Sequence, residues 1–302
     1  VNDGIRPQGQ SGTPLPYGLL GSQDRIAPMP DSYWHPEAAN WMARVRQNGG
    51  EVSAPTMRAV SRFCATIESA GIRSLFYRLN LFCGNSDATL AAVRTPLFRG
   101  PSLGGTQYGN ATDTNNNFVA GDYVETGATG GLKGNASNKS LNTGLLLSDL
   151  PSSPNGHISA WAKDQTVARS GWIVAWGQGY VNGAFIEHSA AGSRNISFGR
   201  ELSGSFTANT VKQFLVTRSS TTDQRTYHDG SLVETNTTPP TGTLTANAAV
   251  PFHIFTRRVG TTVESWTDAR MNCYSIGDNL SGAQVTSFRS ALATFFDTLS
   301  RT

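Results

Sequence analysis

The chain has little charge, little cysteine and no long apolar run. Asp, Glu, Lys and Arg make up 15% of its 302 residues, 24 basic against 21 acidic, for a formal net charge of +3. No block of like charge stands out, so nucleic acid and anionic membrane are not expected partners. Cys64, Cys83 and Cys273 are too few and too scattered for a disulfide framework or a zinc site, both of which need clustered spacing. Buried free thiols are the expectation, consistent with a reducing compartment. No apolar stretch approaches the roughly 18 residues of a membrane span, and no basic segment followed by an apolar core opens the sequence. The reading is of a chain soluble as written.

Catalytic signatures are scarce as well. There is no Gly-x-Ser-x-Gly elbow, phosphate loop or His-Glu-x-x-His. The five histidines (His35, His157, His188, His228, His253) are far apart, and structural roles are expected for them. Glycoside hydrolysis needs two carboxylates flanking one bond, yet Glu187, Glu201 and Glu234 are isolated. Glu264 and Asp268, four apart across Trp266, come nearest. On an extended segment they would lie about 13 Å apart at roughly 3.3 Å per residue, too far for retaining or inverting chemistry. The chain is therefore expected not to be an enzyme.

What is abundant is turn chemistry. With 32 Gly and 14 Pro, short alternating runs recur between turn residues: His157 to Lys163, Trp172 to Trp176, Ala184 to His188, Asn195 to Phe198, Val211 to Arg218, Phe252 to Val259 and Arg270 to Ile276. Asp229-Gly230 sits between two strand-like runs, a strong hairpin signal because a two-residue turn matching strand twist needs positive φ. Many short strands separated by turns predict a sandwich or barrel.

Helical spacing appears at both ends of this β region. Pro36 suits a first-turn position, Ala38, Trp41, Met42 and Val45 recur at helical steps, and Gly49-Gly50 ends the run. Ser53 is an N-cap before Met57, Val60, Cys64 and Ile67, with Gly71 beyond. Ile72 to Leu79 adds a short third helix on this reading. Ser281 and Gln284 form a capping box opening a helix to Leu299, striped by Val285, Phe288, Leu292, Phe295, Phe296 and Leu299. Residues 1–33, with five Pro, five Gly and no apolar period, read as an extended arm held by a neighbouring subunit. Residues 100–117 read as a linker. Its Asp113-Thr114-Asn115-Asn116-Asn117 run offers a calcium ion one carboxylate where six to eight oxygens are needed. A plain loop is the reading, with calcium the only alternative cofactor.

The order Lys133-Gly134-Asn135-Ala136-Ser137-Asn138 to Gly144, then Tyr227-His228-Asp229-Gly230, then Ala269-Arg270-Met271-Asn272-Cys273-Tyr274-Ser275-Ile276-Gly277 with Leu280-Ser281, resembles laminin-G-like, concanavalin-A-like jelly rolls. The resemblance covers a little over half the chain. It implies a mainly β jelly-roll sandwich over 118–302 with a C-terminal helix, preceded by the arm and a helical segment at 34–99. The Glu-x-Asp-x-Glu signature of laminarinase-like enzymes on this fold is missing. The tandem helices, Leu79-Asn80-Leu81-Phe82-Cys83-Gly84 and the polar linker ending in Asn117-Phe118 resemble the segment preceding a jelly roll in phage and prophage structural proteins.

These resemblances imply a structural subunit of a phage or phage-like virion, decorating capsid or tail and assembled in the host cytoplasm. Its partners would be other virion subunits through the arm, in a homo-oligomer, and host or environmental glycan. A carbohydrate-binding module of a bacterial surface or secreted protein is the alternative, and a glycan-cleaving enzyme with an unfamiliar site comes third. Tryptophan within an alternating strand tends to be core because it buries so much area. Trp266 and Tyr180, adjoining loops, are therefore the candidate sugar platforms, with Glu264 and Asp268 as polar contacts.

Overall fold

The computed structural model describes residues 34–85, 90–151, 155–166, 171–178, 182–188, 193–198, 201–205, 212–239, 250–259 and 262–301. The arm expected at 1–33 and Tyr180 lie outside the described residues. In chain order the elements are α1 (Pro36–Gln47), α2 (Ala54–Ser69), β1 (Phe76–Asn80), α3 (Ala91–Arg94), β2 (Thr114–Asn116), β3 (Tyr123–Val124), β4 (Gly131–Lys133), β5 (Ser140–Leu146), β6 (Gly156–Lys163), β7 (Gly171–Gln178), β8 (Asn182–His188) and β9 (Ser193–Phe198). There follow β10 (Glu201–Ser205), β11 (Gln213–Ser220), β12 (Asp223–His228), β13 (Ser231–Asn236), β14 (Pro251–Ile254), β15 (Arg257–Val259), β16 (Thr262–Glu264), β17 (Arg270–Gly277) and α4 (Gly282–Thr298).

The strands form two antiparallel sheets. Sheet A runs β13-β12-β11-β6-β17-β4-β3 with β1 also paired to β17, and sheet B runs β10-β9-β8-β7-β14-β5-β2. Between them lies one core, to which β6 sends Ile158 and Ala160, β7 sends Val174 and Trp176, and β11 sends Phe214 and Val216. The chain is thus a mainly β sandwich of the jelly-roll type expected. Sheet A's other face, carrying Trp161, Leu215 and Cys273, is roofed by helices. Phe76 meets Phe288 of α4 at 4.7 Å between ring centroids, and Trp161 meets Phe296 at 4.9 Å. The centre of sheet A is therefore buried on both faces, and all eight residues of β6 are buried.

Local chemistry explains the helix boundaries. Ser53 accepts the Thr56 N–H to open α2, and Gly71 follows its end at φ +66°. Ser281 and Gln284 form the reciprocal cap of α4, and all six stripe residues are buried. Cys64, Cys83 and Cys273 are free and buried, and desolvation pushes each thiol up. The β12–β13 turn places Asp229 at φ +47° and Gly230 at φ +84°, the double positive φ that its sequence demands.

Three expectations need correction. Ile72 to Leu79 is not a helix: a 3-10 turn, Arg73–Leu75, leads into β1, which pairs with β17. Five consecutive buried residues there have no alternation from which a strand could be read. Phe252 to Val259 is not one strand, because Phe255 at φ +70° separates β14 from β15. Nor is the 100–117 stretch a plain surface loop. Asp113 is fully buried, accepting from Arg78 Nη2 (2.7 Å), Arg78 Nε (3.1 Å), the Tyr274 hydroxyl (2.8 Å) and Asn80 Nδ2 (2.9 Å). Its oxygens are spent on protein donors, so the calcium alternative for this run has no carboxylate left to use.

A second buried polar hub closes the C-terminal end. Arg301 is fully buried and donates to the Glu125 carbonyl (2.5 Å), the Phe82 carbonyl (2.9 Å) and the Tyr123 hydroxyl (2.9 Å). The Glu125 carboxylate takes the Gly84 N–H at 3.0 Å and the hydroxyls of Tyr123 and Thr56.

Candidate functional site

After β14, Phe255 donates its N–H to the Ile173 carbonyl at 2.9 Å, which keeps the chain against sheet B, and then β15 and β16 form a separate hairpin. Its register sets Arg257 opposite Glu264. Arg257 donates to Glu264 Oε1 from Nε at 2.8 Å and approaches it with Nη2 at 2.6 Å. Thr256 Oγ1 donates to the Glu264 carbonyl at 2.6 Å. Ser265, at φ +57°, then turns the chain into Trp266.

Trp266 differs from the other tryptophans whose side chains are described. Trp41, Trp161 and Trp176 are core, and Trp34 packs against the helical cluster. Trp266 is half-buried and joins no hydrophobic cluster among the described residues. Two residues before it in the chain lies Glu264, paired with Arg257, the side chains 39% and 22% exposed. A partly accessible indole two residues from a partly exposed carboxylate suits a molecule with apolar C–H patches and hydroxyls.

Asp268 is placed differently. It is buried, accepts the Thr166 N–H at 3.1 Å and the Thr166 hydroxyl, and lies 3.9 Å from Lys133 Nζ. Glu264 thus sits in the hairpin, Trp266 follows it two residues after β16 ends, and Asp268 is held by Thr166. Arg257 was not singled out from the sequence. The signal was there, in the near-mirror pattern Arg257-Arg258-Val259-Gly260-Thr261-Thr262-Val263-Glu264, which sets opposite charges across a turn.

One arrangement outside the hairpin has the outline of acid–base chemistry. His157 Nε2 lies 3.0 Å from Ser275 Oγ, and Nδ1 lies 2.6 Å from the Asp278 carbonyl. Nδ1 must donate to that carbonyl, so Nε2 accepts from the hydroxyl. Both residues are fully buried, with Phe76 edge-on to the imidazole at 5.3 Å. Burial holds the histidine's pKa down at about 4. A substrate has no route to this pair. Among the described residues, no three His, Cys, Asp or Glu side chains are grouped to hold a metal ion.

No protein-family model matches the chain. No curated protein matches it either. Among solved structures it is similar to the K499G mutant of NanB sialidase from Streptococcus pneumoniae, at 14% identity and TM-score 0.42, over 52% of this chain and 27% of that one. It is similar to the Ruminococcus gnavus IT-sialidase CBM40 bound to α2,3-sialyllactose, at 12% identity and TM-score 0.36, over 44% of this chain and 80% of that one. A Trypanosoma rangeli sialidase mutant displaying trans-sialidase activity matches at 9% identity and TM-score 0.48, over 79% of this chain and 39% of that one. At such identities no site residue carries across to this chain.

Proposed function

We propose that the chain is a non-catalytic glycan-binding sandwich whose platform is the β15–β16 hairpin. The observation that carries this reading is Trp266, a half-buried tryptophan outside the hydrophobic clusters of the described residues, two positions along the chain from Glu264 of the partly exposed Arg257–Glu264 pair. The aromatic face supplies stacking on sugar C–H groups, and the pair supplies a hydroxyl acceptor and donor. Absence of catalysis is supported by the partners of the two nearest carboxylates: Glu264 faces an arginine and Asp268 a threonine, so neither is set as acid or nucleophile to the other. The virion role expected above drew on the arm, which lies outside the described residues. The helices before the sandwich pack on sheet A, as they would in a particle subunit or in a binding module, and so favour neither.

The test is a glycan array followed by calorimetry, starting with α2,3-sialyllactose and neutral β-linked oligosaccharides. Wild type should bind at least one glycan, and Trp266→Ala should weaken that binding by roughly fivefold or more, at about 1 kcal/mol or more for a lost anchor, without lowering the unfolding temperature. No reducing sugar should appear. Binding unchanged in Trp266→Ala, or no binding to any glycan, would refute the reading, and product release would make the chain an enzyme.

A further inference from the structure

At the opposite end of sheet A the helical roof stops short. Arg218 of β11 pairs with Gly156, where β6 begins, whereas the residues near the Trp266 hairpin adjoin Lys163, where β6 ends. Because α4 starts only at Gly282, the ends of β11 and β12 keep part of their helix-side face uncovered. There Thr217, Ser219, Asp223, Arg225, Asn279 and Ser281, with Leu280 as the apolar member, line a recess of ≈ 230 Å³. That is smaller than a drug-sized pocket of roughly 300–1,000 Å³.

The polar groups around it are only partly used. Asp223 accepts from Ser219 Oγ (2.5 Å) and Arg225 Nε (2.8 Å), leaving acceptor capacity on the carboxylate, while the Arg225 guanidinium also pairs with the Tyr227 hydroxyl. Thr217 is 4% exposed, and its Oγ1 accepts the Leu280 N–H at 2.9 Å. The hydroxyl's own proton has no acceptor among the described residues. The Asn279 side-chain amide, half-buried, likewise has no protein partner among them. An almost buried unspent donor, an amide of both polarities and a mutually neutralised ion pair together line one small concavity.

We infer that this recess binds one small neutral polyhydroxylated molecule of about the size of a single hexose. The charges argue for neutrality: Asp223 and Arg225 cancel each other, so an anion meets a carboxylate and a cation meets a guanidinium, whereas hydroxyls use both. The inference is independent of the hairpin, which offers an aromatic face where this recess offers none.

The experiment is a ¹⁵N–¹H NMR titration of the full chain in a Trp266→Ala background with methyl glycosides of glucose, galactose, mannose and N-acetylglucosamine, and with inorganic phosphate as a separate arm. At least one glycoside should shift the amide resonances of Ser219, Asp223 and Asn279 together. Arg225→Gln and Asn279→Ala should each weaken that binding about two- to tenfold, the range for one net hydrogen bond. Three results would overturn the inference: no shift at these residues with any glycoside, a shift with phosphate only, or glycoside binding unaltered in both variants.

Discussion

His157 ties the molecule's stability to pH. Its unfolded-state pKa is near 6.5, and burial lowers the folded value to about 4. Between these values the unfolded chain holds a proton that the folded chain refuses, so stability rises with pH from about 4 to 6.5 and is lost on acidification through that window. The full effect is on the order of 3 kcal/mol at about 1.4 kcal/mol per unit. His253, also lowered by burial, acts in the same direction. Thermal melts at pH 4 to 7 should show this slope, and His157→Gln should start less stable but respond less to pH. An unchanged slope in the variant would assign the effect elsewhere. Both histidines were visible in the sequence as strand residues. The partners of His157 were not, because Ser275 and the Asp278 carbonyl lie more than a hundred positions from it along the chain.

Among the elements, those with their own end signals were legible in advance. α2 and α4 carry caps in four-residue windows, and the β12–β13 turn carries Asp-Gly, so local chemistry alone marks them. β1 carries no such mark. Its apolar residues fit helical steps as well as a strand buried on both sides, and only pairing with β17 decides. The same distance hides what holds the 100–117 stretch. Arg78 on β1 meets Asp113 in that stretch, with both side chains fully buried. Removing one partner of such a pair strands a charge, which costs about 3–5 kcal/mol. Arg78→Met and Asp113→Asn should each lower stability by that order in denaturant melts. The double variant should cost less than the sum of the two singles, and strict additivity would show that the ion pair does not couple the stretch to the sheet. For the candidate sites, Trp266 was legible as a tryptophan beside a loop. The recess was not, because it joins 217–225 to 279–281, stretches that become neighbours only in the folded sheet.

For the molecule as a whole, the roof over sheet A makes α4 part of the fold rather than an appendage. Phe288, Phe295 and Phe296 are buried, and large side chains contribute about 1.5–3 kcal/mol each on burial. A chain truncated before Gly282 loses them together with Arg301, and leaves Trp161 and Cys273 without their cover. It should fail to give a cooperative melt, and circular dichroism with calorimetry checks this. A truncated chain melting like wild type would mean that the sandwich stands without its roof.

The pairing of β1 with β17 also sets a schedule for synthesis. Arg78 and Tyr274, which share Asp113, are 196 positions apart. At 5–20 residues per second, β1 waits on the order of 10–40 s after emerging for the strand that completes it. Arg301 comes later still, so the hub at Glu125 forms only once nearly the whole described chain has been made. During that interval Phe76, Leu79 and the apolar faces of α1 and α2 have no sheet to lie on. Folding of this region is thus timed by the arrival of β17 and α4.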